Sequence, residues 1–437
     1  MKYSRQGWLD LSFLRSVYQP LINIVFAASW FKLKGKYTEG YDERKGIVSP
    51  EKLAILGGRS PLWVHGVSVG EVQAAMPLIK EARLNGYSGP IILSTTTETG
   101  KSMALKLGQG IFDIHIYYPW DKRKFVCSAL DSLKPWAFVT AETELWPNML
   151  WELKIRNIPA FLVNGRISDR TWSKLNMGIT RHIGIELYGL FARMFVRYES
   201  DASRLTRIGV GRSKIQICGD CKIDALFQRK NTADAEVWRK ILSLHDEPVF
   251  IAGSTHAGED EIIIEAFELL RKNVPSAKLI IVPRHPERAL AVADLASAKF
   301  CTRLISDTSG EWDVIVVDRI GVLFELYSIA ASAFVGGSLV DRGGQNILEP
   351  ALWGIPLQYG PHMEDFSEAS GNFVSLGIAN QIKNAEELAE IWSDIASDPA
   401  KRENCKSLCD KYFAEKTGAA CMAWTVISMY KPDVPVK

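Results

Sequence analysis

The sequence predicts an α/β protein of two domains, each built on a parallel sheet covered by helices, and three observations carry that prediction. Short apolar, β-compatible runs alternate along the chain with amphipathic helical stretches, the pattern that parallel sheets with helical crossovers leave in a sequence. The alternation comes in two series with a polar stretch between them. At 437 residues, with 47% hydrophobic and 23% charged residues, the chain is long enough for two cores and has the make-up of a folded protein.

The first element stands apart from the rest. Phe13–Phe31 reads FLRSVYQPLINIVFAASWF, with a clean apolar stretch only at Leu21–Phe31, and Lys32, Lys34 and Lys36 follow. That stretch is short for a hydrocarbon core of ~30 Å, and extension back to Val17 brings it near the lower limit. Trp30 and the lysines suit a membrane interface with the rest of the chain on the cytoplasmic side. No small-residue cleavage site follows, so a secretory signal peptide is not expected. Residues 1–35 are read as a membrane anchor that either spans the bilayer or lies along it.

Strand-like runs then follow at Leu62–Val64, Ile91–Ser94, Ile114–Tyr117, Ala137–Val139, Ala160–Val163, Met194–Val196 and Ile215–Ile217. A second series runs through Val249–Ala252, Lys278–Val282, Asp313–Val317, Ala333–Val335 and Pro356–Gln358. The polar helical stretch Gln228–Asp246 separates them, punctuated by Asn231, Thr232 and Pro248, which puts a boundary near residues 222–232 and domains at 36–227 and 228–437. The net charge of +2, from 52 basic and 50 acidic residues, gives no global attraction to nucleic acid. Seven scattered cysteines form no disulfide framework, and Cys218-Gly-Asp-Cys221 has no nearby partner pair for zinc.

Chemistry is expected where strands give way to loops, because open α/β sheets bind ligands at the carboxyl ends of their strands. VHGVSVGEVQAAMPLI at 64–79 places Gly70 and Glu71 at such a junction, where Glu71 serves either as a base or as a carboxylate that complements the helix dipole. VFIAGSTHAGEDEIIIEAF at 249–267 repeats the pattern, again with Gly-Glu at the helix start. TAETELWPNML at 140–150 puts Glu142 and Glu144 just past a strand, on one face if the chain stays extended. Acids so close in sequence do not flank a glycosidic bond as a retaining glycosidase requires. ILSTTTETGKS at 92–102 and VNGRISDRTW at 163–172 add hydroxyls, an amide and arginines, and Lys222 lies near the hinge. In the second half, IIVPRHPER places Pro283, Arg284 and His285 after a strand, with the guanidinium suited to phosphate. AFVGGSLVDRGGQNILEPALWGIP at 333–356 joins two glycine pairs to a helix expected to begin near Asn346, an anion site, with Glu349 able to accept from sugar hydroxyls or to balance the dipole. Neither a Walker sequence nor an early GxGxxG is present, which speaks against ATPase and simple dehydrogenase chemistry.

In order, HGVSVGEVQAA, AETELWPN, the Lys222 segment, GSTHAGED, VPRHPER and VGGSLVDRGGQNILEP resemble the 3-deoxy-D-manno-oct-2-ulosonic acid (Kdo) transferases of lipopolysaccharide assembly, over nearly the whole chain. The resemblance implies a GT-B glycosyltransferase of two Rossmann-like domains facing a central cleft. It further implies attachment to the cytoplasmic face of the cell inner membrane, and transfer of Kdo from CMP-Kdo to a lipid A precursor, once or in succession, with inversion and with neither metal nor cofactor. The proton acceptor then falls on Glu71 and the transition-state stabilisers on Glu142 and Lys222. CMP contacts fall on Pro283 and Arg284, on Gly321, Val322 and Leu323, and on Asn346, Ile347, Leu348 and Glu349. The chain departs from the family at Val322, where a glutamate is usual between glycine and leucine. The rival expectations are a GT-B transferase using a UDP-sugar and a non-catalytic carbohydrate- or lipid-binding protein.

Overall fold

The computed structural model describes residues 11–37, 39–175, 178–231 and 233–432. They form two compact units: the first runs to Ala225 and takes back the chain from Lys416 onward, and the second is Leu226–Glu415. The boundary falls inside the predicted 222–232 window, within the helix Cys221–Lys230. The expectation of one domain over 228–437 is corrected at its far end. Ala419, Ala420, Ala423, Trp424 and Ile427 of the last helix enter the same buried cluster as Val72, Ala75, Met76 and Ile79 of the first unit. Burying Trp424 and Ile427 is worth about 1.5–3 kcal/mol each, and this apolar face fixes where the segment docks. The Asp224 carboxylate accepts from Gly418 N (2.7 Å) and Ala420 N (2.8 Å) at the start of that helix.

The first unit holds β1 (Leu62–His65), β2 (Ile91–Thr95), β3 (Ile114–Tyr117), β4 (Ala137–Ala141), β5 (Ala160–Gly165), β6 (Arg193–Val196) and β7 (Ile215–Ile217), in the order β3-β2-β1-β4-β5-β6-β7. Every pairing is parallel. β1 to β5 are buried at every position because helices cover both faces, which is why these strands read as largely apolar runs rather than as alternation.

The second unit repeats the plan with β8 (Val249–Thr255), β9 (Lys278–Pro283), β10 (Thr302–Leu304), β11 (Val314–Val316), β12 (Ser332–Val335), β13 (Leu357–Tyr359) and β14 (Ala379–Gln381), ordered β10-β11-β9-β8-β12-β13-β14. In each sheet the direction of winding reverses beside the first strand, between β1 and β4 and between β8 and β12. Crevices at such reversals are where doubly wound sheets bind ligands.

The N-terminal segment forms the helix Leu11–Lys36, with residues 1–10 and the side chains of Trp30, Lys32, Lys34 and Lys36 outside the described residues. One face of the helix packs on the first unit. Tyr18 Oη donates to Asp121 (2.9 Å), Arg15 pairs with Glu152, and Phe26 meets Trp120 and Phe125 edge-on at 5.4 and 5.6 Å. The other face carries Val17, Leu21, Ile24 and Val25, which are 49–67% exposed. Among the described residues, no helix is long and apolar enough to cross a membrane.

Candidate active site

Glu71 is the third residue of the helix Val69–Leu84, which starts after β1. Its Oε2 accepts from Ser68 N at 3.0 Å and from the Ser68 hydroxyl, while Oε1 has no partner among the described residues. The carboxylate caps its own helix and leaves one oxygen open. The Ser-x-x-Glu spacing was the signal for the first role.

Glu142 leaves β4 across the reversal point. The strand ends at Ala141, and Glu142 takes a positive φ of 61°, held by its N–H donating to Val163 O (2.9 Å). The chain is thus not extended over 142–144, and the expectation that Glu142 and Glu144 share one strand face is corrected. Lys222 Nζ lies 2.6 Å from Glu142 Oε1, with the carboxylate side chain 16% exposed. Backbone bonds place Lys222: Cys221 N donates to Asn164 Oδ1 and Lys222 N to Asp220 Oδ1, both at 2.9 Å. Lys222 Nζ also sits 3.6 Å from where a Cβ on Gly70 would stand, which places the ammonium at van der Waals distance from the residue before Glu71. The structure thereby brings Glu71, Glu142 and Lys222 together.

Glu144 joins them electrostatically. Burial first, then the charges of Glu71 and Glu142, push its carboxyl up to about 7. His65, at the end of β1, is a core group: it is fully buried, stacks on Tyr118 at 3.8 Å, and burial pushes its pKa down to about 3. It stays neutral and takes no acid–base part.

In the second unit, Pro283 ends β9 and Arg284 follows it. Arg284 N donates to Thr255 O (2.9 Å), and its exposed guanidinium has no partner among the described residues. Gly344 N bonds Gly337 O (2.9 Å) and Gln345 N bonds Gly336 O (3.1 Å), which fixes the approach to Asn346. The helix expected at Asn346 begins at Leu348 and lasts one turn, to Leu352. Asn346 lies just before its N-cap, Ile347, with Oδ1 accepting from Leu348 N (3.1 Å) and Nδ2 donating to Glu349 (3.3 Å). Ile347 is wholly buried and offers only backbone, and Leu348 is half-buried. Burial holds the Glu349 carboxyl above its ordinary range, opposed by the Arg229 charge and the Asn346 bond.

Gly321 is exposed with φ 99°, a conformation that favours glycine, and its carbonyl accepts from Arg229 (3.2 Å). Val322 and Leu323 are half-buried at the start of the helix Leu323–Leu326. Arg229 thus links the 321–323 stretch to Glu349, a role that sequence reasoning missed because the three segments meet only in the fold. Among the described residues, Asp341, His362 and Glu364 form a group able to hold a cation, their ligand atoms lying within 4.8 Å of one another.

A family model described as 3-Deoxy-D-manno-octulosonic-acid transferase (kdotransferase) matches residues 39–225, which hold Glu71, Glu142 and Lys222. The chain is 33% identical over 412 residues to the 3-deoxy-D-manno-octulosonic acid transferase of Haemophilus influenzae, covering 92% of this chain and 93% of that one. This chain belongs to the Kdo transferase family. It is also 32% identical over 361 residues to a bifunctional glycosyltransferase/methyltransferase of Fusobacterium nucleatum, covering 80% of this chain and 55% of that one, so it spans about half the length of that relative. In fold, the chain matches the UDP-GlcNAc 2-epimerase of Neisseria meningitidis (TM-score 0.57, 15% identity, 85% of this chain and 99% of that one). It matches the glycotransferase of kitacinnamycin similarly (TM-score 0.53, 15% identity, 86% and 100%). These likenesses support the GT-B architecture of two parallel α/β units.

Proposed function

We propose that this Kdo transferase moves Kdo from CMP-Kdo to a lipid A precursor in lipopolysaccharide assembly, with inversion and without a metal ion. The observation that carries the reading is the Glu142–Lys222 pair beside Gly70 and Glu71, where Glu71 keeps one oxygen open. That oxygen takes the proton of the acceptor hydroxyl as it attacks, while the ammonium and Glu142 stabilise charge that develops during transfer. The Arg284 guanidinium and the backbone around Asn346 receive the phosphate and nucleoside of CMP; a single departing phosphate carries charge that a fixed guanidinium can meet.

The exposed Val17, Leu21, Ile24 and Val25 support attachment with the N-terminal helix lying in the interface of the inner membrane, its packed face toward the first unit. Purified protein is incubated with CMP-Kdo and lipid A precursor in the presence of a chelator, and the lipid is analysed by mass spectrometry. A mass increase of one or more Kdo units is expected. Transfer from UDP-sugars instead, or loss of transfer on chelation, would overturn the reading.

A further inference from the structure

The repeated Gly-Glu junction has two different fates. Glu71 and Glu259 each follow the first strand of their sheet, and each accepts from the backbone N–H three residues before it, Ser68 N at 3.0 Å and His256 N at 2.8 Å. In the first unit the second oxygen stays open. In the second unit, Glu259 is wholly buried and its carboxylate also accepts from Gly337 N (2.8 Å), Ser338 N (3.0 Å) and Leu339 N (2.9 Å), in the loop after β12.

We infer that Glu259 is the positioning residue of the donor site. Its carboxylate is a ready-made acceptor for a concave turn of backbone N–H groups that would otherwise bind an anion or water. It ties the segment that leaves β8, whose last residue Thr255 holds Arg284 through its carbonyl, to the loop after β12, which holds Gln345 and the approach to Asn346 through Gly336 and Gly337. The start of the loop after β12 packs tightly on the end of β8, since a Cβ on Gly336 would lie 2.5 Å from Ser254 O. Glu259 touches no substrate; it sets the distance between the two stretches that the proposed function assigns to CMP, and the inference rests on that assignment.

The test is calorimetric titration of CMP into the full chain, with donor kinetics alongside. Glu259→Gln substitutes an N–H donor for one acceptor oxygen and is expected to weaken CMP binding and raise donor KM at least tenfold, with kcat at saturating donor within threefold. Glu259→Asp, which keeps the charge, is expected to fall between. Asp313→Asn, which breaks pairs with Arg271 (2.7 Å) and Lys278 (3.6 Å) at the amino end of β11, is the control: it lowers the melting temperature and leaves KM unchanged. Wild-type CMP affinity in Glu259→Gln, or a KM change in Asp313→Asn of equal size, would overturn the inference, whereas failure of the wild type to bind CMP would instead sink the proposed function. Hydrogen exchange on the wild type needs no variant: the amides of Gly337–Leu339 should be protected before CMP is added, and rapid exchange there would equally overturn it.

Discussion

Glu144 makes stability depend on pH in a direction opposite to that of an ordinary paired carboxylate. Its carboxyl is pushed from 4.5 up to about 7, by burial and then by Glu71 and Glu142. A raised acid pKa means that the fold prefers the protonated form, so the contribution of this group is fully present below pH 4.5 and is lost as pH rises through 7. Replacing it by glutamine, neutral at every pH, removes that loss. From pH 5 to pH 8.5, Glu144→Gln should gain about 2–3 kcal/mol of stability relative to the wild type. Urea unfolding of both proteins at the two pH values measures this, and using the difference cancels the titration of groups that do not interact with Glu144. Equal offsets at pH 5 and pH 8.5, within about 0.5 kcal/mol, would refute the burial argument.

Lys222→Met removes the ammonium 2.6 Å from Glu142 and should lower kcat about 10²–10³-fold, with little loss of stability because the lysine side chain is 38% exposed; steady-state kinetics and melting together check this. Arg284→Ala should weaken CMP binding about 10–100-fold, the size of a lost charge-assisted contact, by calorimetry. Leu21→Asp with Ile24→Asp should cut sedimentation with anionic vesicles at least about tenfold, since each side chain loses about 1.5–3 kcal/mol of apolar burial, and should leave the rate on a detergent-dispersed acceptor unchanged.

The central strands were legible because helices cover both of their faces, which makes them largely apolar, with His65, Ser94, Thr95, Thr140 and Asn164 among their buried polar residues. The strands Thr302–Leu304 and Ala379–Gln381 were not: they lie at the edges of the second sheet, pair on one side only and are partly exposed, so their residues carry little apolar signal. The return of the chain from Lys416 to the first unit was hidden for another reason, since an apolar helix face does not say which of two cores it joins. At the site, Glu71 and Glu142 were readable from strand exits and Lys222 from its place near the hinge, but the 2.6 Å approach of Lys222 to Glu142 was not, because their segments meet only in the fold. The turn at Glu142 was not readable, because a positive φ there is imposed by the bond to Val163 rather than by a glycine or asparagine. The role of Arg229 was equally silent, being made by segments about a hundred residues apart.

The most direct test is the steady-state kinetics of Glu71→Gln with CMP-Kdo and the lipid acceptor. Removal of the base should lower kcat at least about a hundredfold, with the affinity for CMP within about twofold of the wild type. A variant that transfers Kdo at a rate within threefold of the wild type would show that the open oxygen of Glu71 does not take the proton, and that the carboxylate serves only as a helix cap.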